Sequence, residues 1–255
     1  MQKMLRSSLS SFFYYGARCL GQKELGTRIL CYHRVNDETN DYVVVPVANF
    51  RAQMQFLADE GYQAIGLSDL LDGEGCKENQ GKSIVITFDD GFRDNFEYAF
   101  PILKEFGFSA SIFCIGKRIG DFSYLGKGDI QEMHRSGFEF GSHTLSHPHL
   151  RDLKSSEKWE EISGSKKYLE DLLGLGINFF CYPYGEYDEE AVRFVERAGY
   201  EGACTNIPGA NKEIASYLLR RTEIGAFDTI VDFRKKLAGA YDLLHRGLHW
   251  LRGRS

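Results

Sequence analysis

The residues of this 255-residue chain best suited to chemistry are carboxylates and imidazoles in two short stretches. Asp89 and Asp90 are adjacent, and His143 and His147 lie four residues apart. On a helical turn that spacing brings both imidazoles to one side, which suits two ligands of one metal ion. His149, two residues on, would face away. Adjacent carboxylates resist joint ionisation at close range. At a strand end they point to opposite sides, so one can bind the metal while the other faces substrate. Two imidazoles and one carboxylate leave positions open for water and substrate. Such a set serves a Lewis-acidic hydrolase or an iron(II) oxygenase. A second carboxylate free to act as base favours hydrolysis.

Such residues need rigid elements behind them. The run 83–88 is almost wholly apolar, as in a strand buried on both faces. Strand-like runs also occur at 28–33, 110–115, 138–141, 178–182 and 200–204. They alternate with helical patterns at 47–60, 95–106, 129–136, 155–173 and 188–198. In the first of these helices Phe50, Met54 and Leu57 share one face, and Gly61 follows as a stop. A polar, glycine-rich loop is expected at 72–82, a short aromatic helix at 4–20 and a last helix at 228–246. At least six strand–helix repeats without a Gly-x-Gly-x-x-Gly turn predict a closed or nearly closed α/β barrel rather than a dinucleotide-binding open sheet. Four strands then deliver polar groups to one rim, where barrels keep their active sites: His33, the Asp89–Asp90 pair, the His143–His147 stretch and Pro-Tyr-Gly at 183–185.

With 43% hydrophobic and 26% charged residues, the chain is not disordered or fibrous. Its net charge of −5 is unevenly spread. Residues 1–30 hold five basic residues and one acid, residues 234–255 six and one, so the body between carries −14. An acidic body with basic ends argues against a nucleic-acid partner, and the ends could meet an anionic membrane surface. None of the six cysteines forms a Cys-x-x-Cys pair, and four sit in apolar runs, which favours a reducing compartment. The N-terminal stretch is too polar for a secretory signal, and no apolar run approaches ~18 residues. A cytoplasmic location is therefore expected.

Three motifs in order, Thr-Phe-Asp-Asp-Gly at 87–91, His-Thr-Leu-Ser-His at 143–147 and Tyr-Pro-Tyr-Gly at 182–185, resemble those of the polysaccharide deacetylase (NodB-homology) family, carbohydrate esterase family four. Tyr-His-Arg-Val at 32–35 resembles the start of its subgroup acting on exopolysaccharides such as poly-N-acetylglucosamine. The resemblance covers roughly residues 28–225. It implies a distorted (β/α)7 barrel and metal-dependent removal of N- or O-acetyl groups from sugars. It also implies Asp89 as catalytic base, Asp90, His143 and His147 as metal ligands, and Tyr184 as donor of an oxyanion-holding backbone N–H.

The chain departs from that pattern in three places. Cys181 stands where many members carry an Arg that partners the base, while Arg221 resembles an Arg found late in the exopolysaccharide subgroup and could orient Asp89. No late Leu-x-His supplies a general acid; His245 and His249 lie in the basic terminal segment, so His33, at the end of the first strand, is the candidate. The fourth, Asp-rich motif is not recognisable. The expectation is an N-deacetylase of an N-acetylated carbohydrate, with zinc first and nickel, cobalt or iron as alternatives. O-deacetylation, other amide hydrolysis and a catalytically weak sugar-binding relative are the rivals. Three regions are expected: a basic aromatic segment at 1–27, the barrel at 28–227 and a basic helix at 228–255. The basic ends could rest on the inner membrane face.

Overall fold

A computed structural model describes residues 26–38, 41–73 and 82–242. Its strands are β1 (Arg28–Tyr32), β2 (Arg34–Val35), β3 (Val44–Val45), β4 (Gln63–Ala64), β5 (Ser83–Phe88), β6 (Ser111–Cys114), β7 (Glu139–Ser142), β8 (Phe179–Cys181), β9 (Gly202–Pro208) and β10 (Leu219–Glu223). Helices α1 (Val47–Asp59), α2 (Leu67–Leu71), α3 (Phe100–Glu105), α4 (Lys127–Arg135), α5 (Ser155–Trp159), α6 (Ser165–Leu173), α7 (Glu189–Arg197) and α8 (Ile230–Leu237) lie between or after them. All eight strands of the main sheet run parallel, and β1 pairs with both β10 and β5. Seven strands, β1 and β5 to β10, thereby close into a ring. Short β4 borders the start of β5, with Gln63 opposite Ser83, while β6 borders its end, with Thr87 opposite Ser111. Two neighbours share one edge of β5, and this distorts the barrel.

Period-two alternation sorts the side chains. On β5, Ile84, Ile86 and Phe88 point out to the helices and Val85 points in. Ile29, Phe113, Phe179, Cys181, Cys204 and Leu219 join Val85 inside the ring. Each large apolar side chain so buried contributes about 1.5–3 kcal/mol. At Gly141 on β7 a Cβ would meet the Phe113 ring at 2.6 Å, so only glycine lets that ring fill the barrel. The same alternation carries Asp89, two residues beyond Thr87, and Arg221, two beyond Leu219, to the inner face at the top.

Several expectations need correction. Residues 143–149 do not form a helical turn; they are an irregular loop in which Thr144 and His147 have positive φ. The helices foreseen at 95–106 and 155–173 contain π-helical turns, at Asn95–Ala99 and Glu160–Gly164. Of the helix foreseen at 228–246, the described residues contain α8 over Ile230–Leu237 and a turn at 238–241. This segment is no separate appendage: Phe233 is buried against Phe56 at 6.2 Å, and Arg28 binds Asp242 at 2.7 Å. Lys236 binds Asp228 at 2.6 Å, and Arg28, Lys235 and Lys236 are all buried, so part of the terminal basic charge is used inside the fold. The foreseen 4–20 helix, most of the 72–82 loop, His245 and His249 lie outside the described residues. No helix among the described residues is long and apolar enough to cross a membrane.

Candidate active site

The carboxylate of Asp89 is 2% exposed and faces Arg221, 132 positions away in sequence. Arg221 reaches it with both terminal nitrogens, at 2.6 Å to each carboxylate oxygen. The guanidinium is itself fixed by Thr205 O at 2.9 Å, Thr87 Oγ1 at 3.2 Å, Asn206 Oδ1 at 2.6 Å and Cys181 Sγ at 3.1 Å. Burial by itself would raise the Asp89 pKa. The charge and hydrogen bonds of Arg221 outweigh it and hold the carboxyl well below the usual range, so Asp89 is ionised. Cys181 thus sits beside a guanidinium that arrives from β10 and needs no basic side chain of its own. Burial pushes the Cys181 thiol up, so it is an inert neighbour.

Asp90 turns the other way. Its φ of 70° places the backbone in the left-handed region, and Gly91 follows at 74°. At Gly91 a Cβ would press on Cys114 Sγ at 3.0 Å, so the turn packs closely against β6. The Asp90 Oδ1 atom lies 3.6 Å from His143 Nε2 and 3.6 Å from His147 Nε2, and the two imidazole nitrogens are 3.1 Å apart. A tetrahedral ion with bonds of about 2.0–2.1 Å sets its donors about 3.3–3.4 Å apart, so this triangle matches one face of such a site. His143 Nδ1 donates to Cys181 O at 2.7 Å, which keeps its Nε2 lone pair for the triangle. Burial and the neighbouring His143 push the His147 imidazole down to about 4 against the opposing pull of Asp90, so it too is a neutral donor. The donor set therefore fits a divalent ion.

Among the described residues only four non-glycines have positive φ: Asp90, Thr144, His147 and Tyr184. All four lie at this rim. Such conformations cost of order 1–3 kcal/mol each and persist where surrounding structure enforces them. Thr144 Oγ1 accepts from His147 N at 2.9 Å, closing the left-handed turn that replaces the foreseen helix. His33 stands at the same mouth. One of its ring nitrogens, Cys31 Sγ and an Asp89 oxygen all lie within 4.8 Å of one another. Tyr184 projects its ring over the site, 4.6 Å from the His147 ring. His149 does not approach the donor triangle; it stacks on the outer side of Tyr184 at 3.9 Å.

Four positioning residues escape a reading of motifs. Asn206 braces Arg221 from β9. Asn95 Nδ2 donates to His33 O at 2.8 Å. Glu161 accepts from the backbone N–H groups of Leu145 and Ser146, both at 2.9 Å, and so grips the histidine loop. Glu186 binds His149 Nδ1 at 2.9 Å. Asn95 and Glu161 both sit on the π-helical turns, a feature common at functional sites. The only sequence sign of these turns would be a slip in helical periodicity, which such short segments hide.

Known proteins similar to this chain point to one family. A family model described as polysaccharide deacetylase matches residues 77–203. YxkH of Bacillus subtilis, which bears a polysaccharide deacetylase name, is 34% identical over 199 residues, 77% of this chain and 70% of that protein. The poly-beta-1,6-N-acetyl-D-glucosamine N-deacetylase of Staphylococcus epidermidis is 24% identical over 233 residues, 79% of this chain and 81% of its own. The crystal structure of the Bacillus cereus polysaccharide deacetylase BC0361 superposes with a TM-score of 0.73 at 28% identity, covering 83% of this chain and 68% of that one.

Proposed function

The chain belongs to the polysaccharide deacetylase family, and on that premise we propose that it hydrolyses the N-acetyl groups of an exopolysaccharide built from N-acetylated sugars such as poly-N-acetylglucosamine. One observation carries the reading. A donor triangle of Asp90, His143 and His147 lies beside an ionised carboxylate, Asp89, at one barrel mouth.

Asp90, His143 and His147 would hold the ion, with zinc favoured by two imidazoles and a carboxylate, and nickel, cobalt or iron compatible with the same donors. A divalent ion there supplies Lewis acidity, polarising the acetyl carbonyl and lowering the pKa of water to about 7. Asp89, kept ionised by Arg221, accepts the proton given up by the attacking water. The Tyr184 backbone N–H donates to the carbonyl oxygen as negative charge develops, an interaction worth about 2.7–4 kcal/mol. His33 gives a proton to the leaving nitrogen as the C–N bond breaks, because an amide anion is too basic to depart unprotonated. The products are acetate and a free amine.

The test is acetate release from N-acetylglucosamine oligomers by metal-free and zinc-loaded protein. Release that requires the metal is expected. No release from any N-acetylated glycan with metal bound would refute the proposal.

A further inference from the structure

Tyr184 holds a backbone conformation that its own side chain disfavours, with φ at 58°, and the residue is 38% exposed. The core therefore does not anchor it. The turn is jammed from below: at Gly185 a Cβ would fall 2.6 Å from Asn206 Cβ, which leaves the chain no room to relax inward. On the outer side, the His149 ring lies parallel to the Tyr184 ring, 3.9 Å away and tilted by 8°. The second ring contact of Tyr184 is with His147, edge to face at 4.6 Å and 63°. Tyr184 thus packs against both a metal-type ligand and a histidine outside the donor triangle.

His149 has a fixed orientation of its own. Its Nδ1 lies 2.9 Å from Glu186 Oε2, and Glu186 is two residues beyond Tyr184 in the same turn. The turn therefore extends a carboxylate that pins the ring covering its own tyrosine. Arg151 Nε donates to Tyr187 O at 2.8 Å, a second tie between the loops that follow β7 and β8. With its side chain 49% exposed, His149 contributes little to the core, yet both of its contacts converge on the active-site lip.

We propose that His149 and Glu186 form a positioning pair that clamps Tyr184 against His147, fixing the direction of the Tyr184 peptide N–H and the plane of the His147 ring. The catalytic consequence rests on the deacetylase reading; the structural one does not. Neither residue touches the reacting atoms, so the pair acts on turnover through Tyr184. Partners that orient functional groups from behind typically change activity by about 10- to 100-fold when removed.

The experiment compares zinc-loaded wild type with His149→Ala, His149→Phe and Glu186→Gln, with thermal melts as a control for folding. In His149→Ala, kcat is expected to fall about 10- to 100-fold with KM within about twofold. An exposed substitution of this kind shifts the melting midpoint by about 2 °C or less. His149→Phe retains the stacked face and is expected to recover most of the loss, with Glu186→Gln in between. Crystal structures of wild type and His149→Ala give a readout independent of turnover: without the clamp, Tyr184 is expected to leave the left-handed region or to swing away from His147. Unchanged kcat in His149→Ala, or a Tyr184 that keeps its place without His149, overturns the proposal. If wild type releases no acetate, the deacetylase reading fails, and the two crystal structures alone decide the clamp.

Discussion

Replacing Arg221 by Met removes one charge from a buried ion pair. Asp89 and Arg221 are each 2% exposed, and Arg221 makes six hydrogen bonds, two of them to Asp89 at 2.6 Å. Met matches the volume but leaves a buried carboxylate without a counter-ion, a loss of about 3–5 kcal/mol. For a chain of this size that lowers the melting midpoint by about 6–20 °C. Asp89→Asn, which strands the guanidinium, has a similar expected cost. The double substitution removes both charges and is expected to cost well below the sum of the two. The pH dependence has a definite sign. The folded pKa of Asp89 is depressed, so the pair's contribution is complete above the unfolded value of about 3.9 and is lost as pH falls toward the folded one. In Arg221→Met burial acts without its counterweight and raises the Asp89 pKa. The gap between wild type and variant is thus widest at and above neutrality, and it narrows as pH falls through that raised value and on toward the wild-type one. Urea denaturation across that range measures it. A cost under about 1 kcal/mol at pH 7, or singles that simply add, would refute the pairing.

The remaining predictions concern the reaction and the chain ends. Asp90→Ala and His147→Ala are expected to lose the bound ion, whereas Asp89→Asn keeps the ion and loses turnover; metal content after dialysis, measured beside acetate release, separates the two outcomes. His33→Ala is expected to lower kcat about 100-fold or more, as for loss of a general acid, and a near-full rate would move that role to another group. We also propose that the basic chain ends contact anionic membranes from the cytoplasmic side, each exposed cation contributing about 1 kcal/mol near the surface. Arg28, Lys235 and Lys236 are buried in the fold, so the attraction depends on the other basic residues of the ends. Failure to co-sediment with anionic vesicles at low salt would remove this role.

What the sequence alone determined about this protein is local. The apolar run ending in Asp89–Asp90 reads as a buried strand opening onto a rim because burial on both faces demands unbroken hydrophobicity. Glycines 61, 107, 137 and 199 mark where helices stop, and each has positive φ. The His-x-x-x-His spacing identified the two imidazoles, although for a reason the structure does not support: strained left-handed turns, not a helix, bring them to 3.1 Å. Only the tertiary structure decided who partners whom. Arg221 meets Asp89 because closing the ring sets β10 beside β1 and β1 beside β5, and alternation then aims both residues inward. Asn206, Glu161, Asn95 and the His149–Glu186 pair are ordinary polar residues in sequence, and they acquire a purpose only where loops from different strands meet. Strand and helix propensities are carried by neighbouring residues, whereas a buried charge finds its partner through register and closure, which no local window contains.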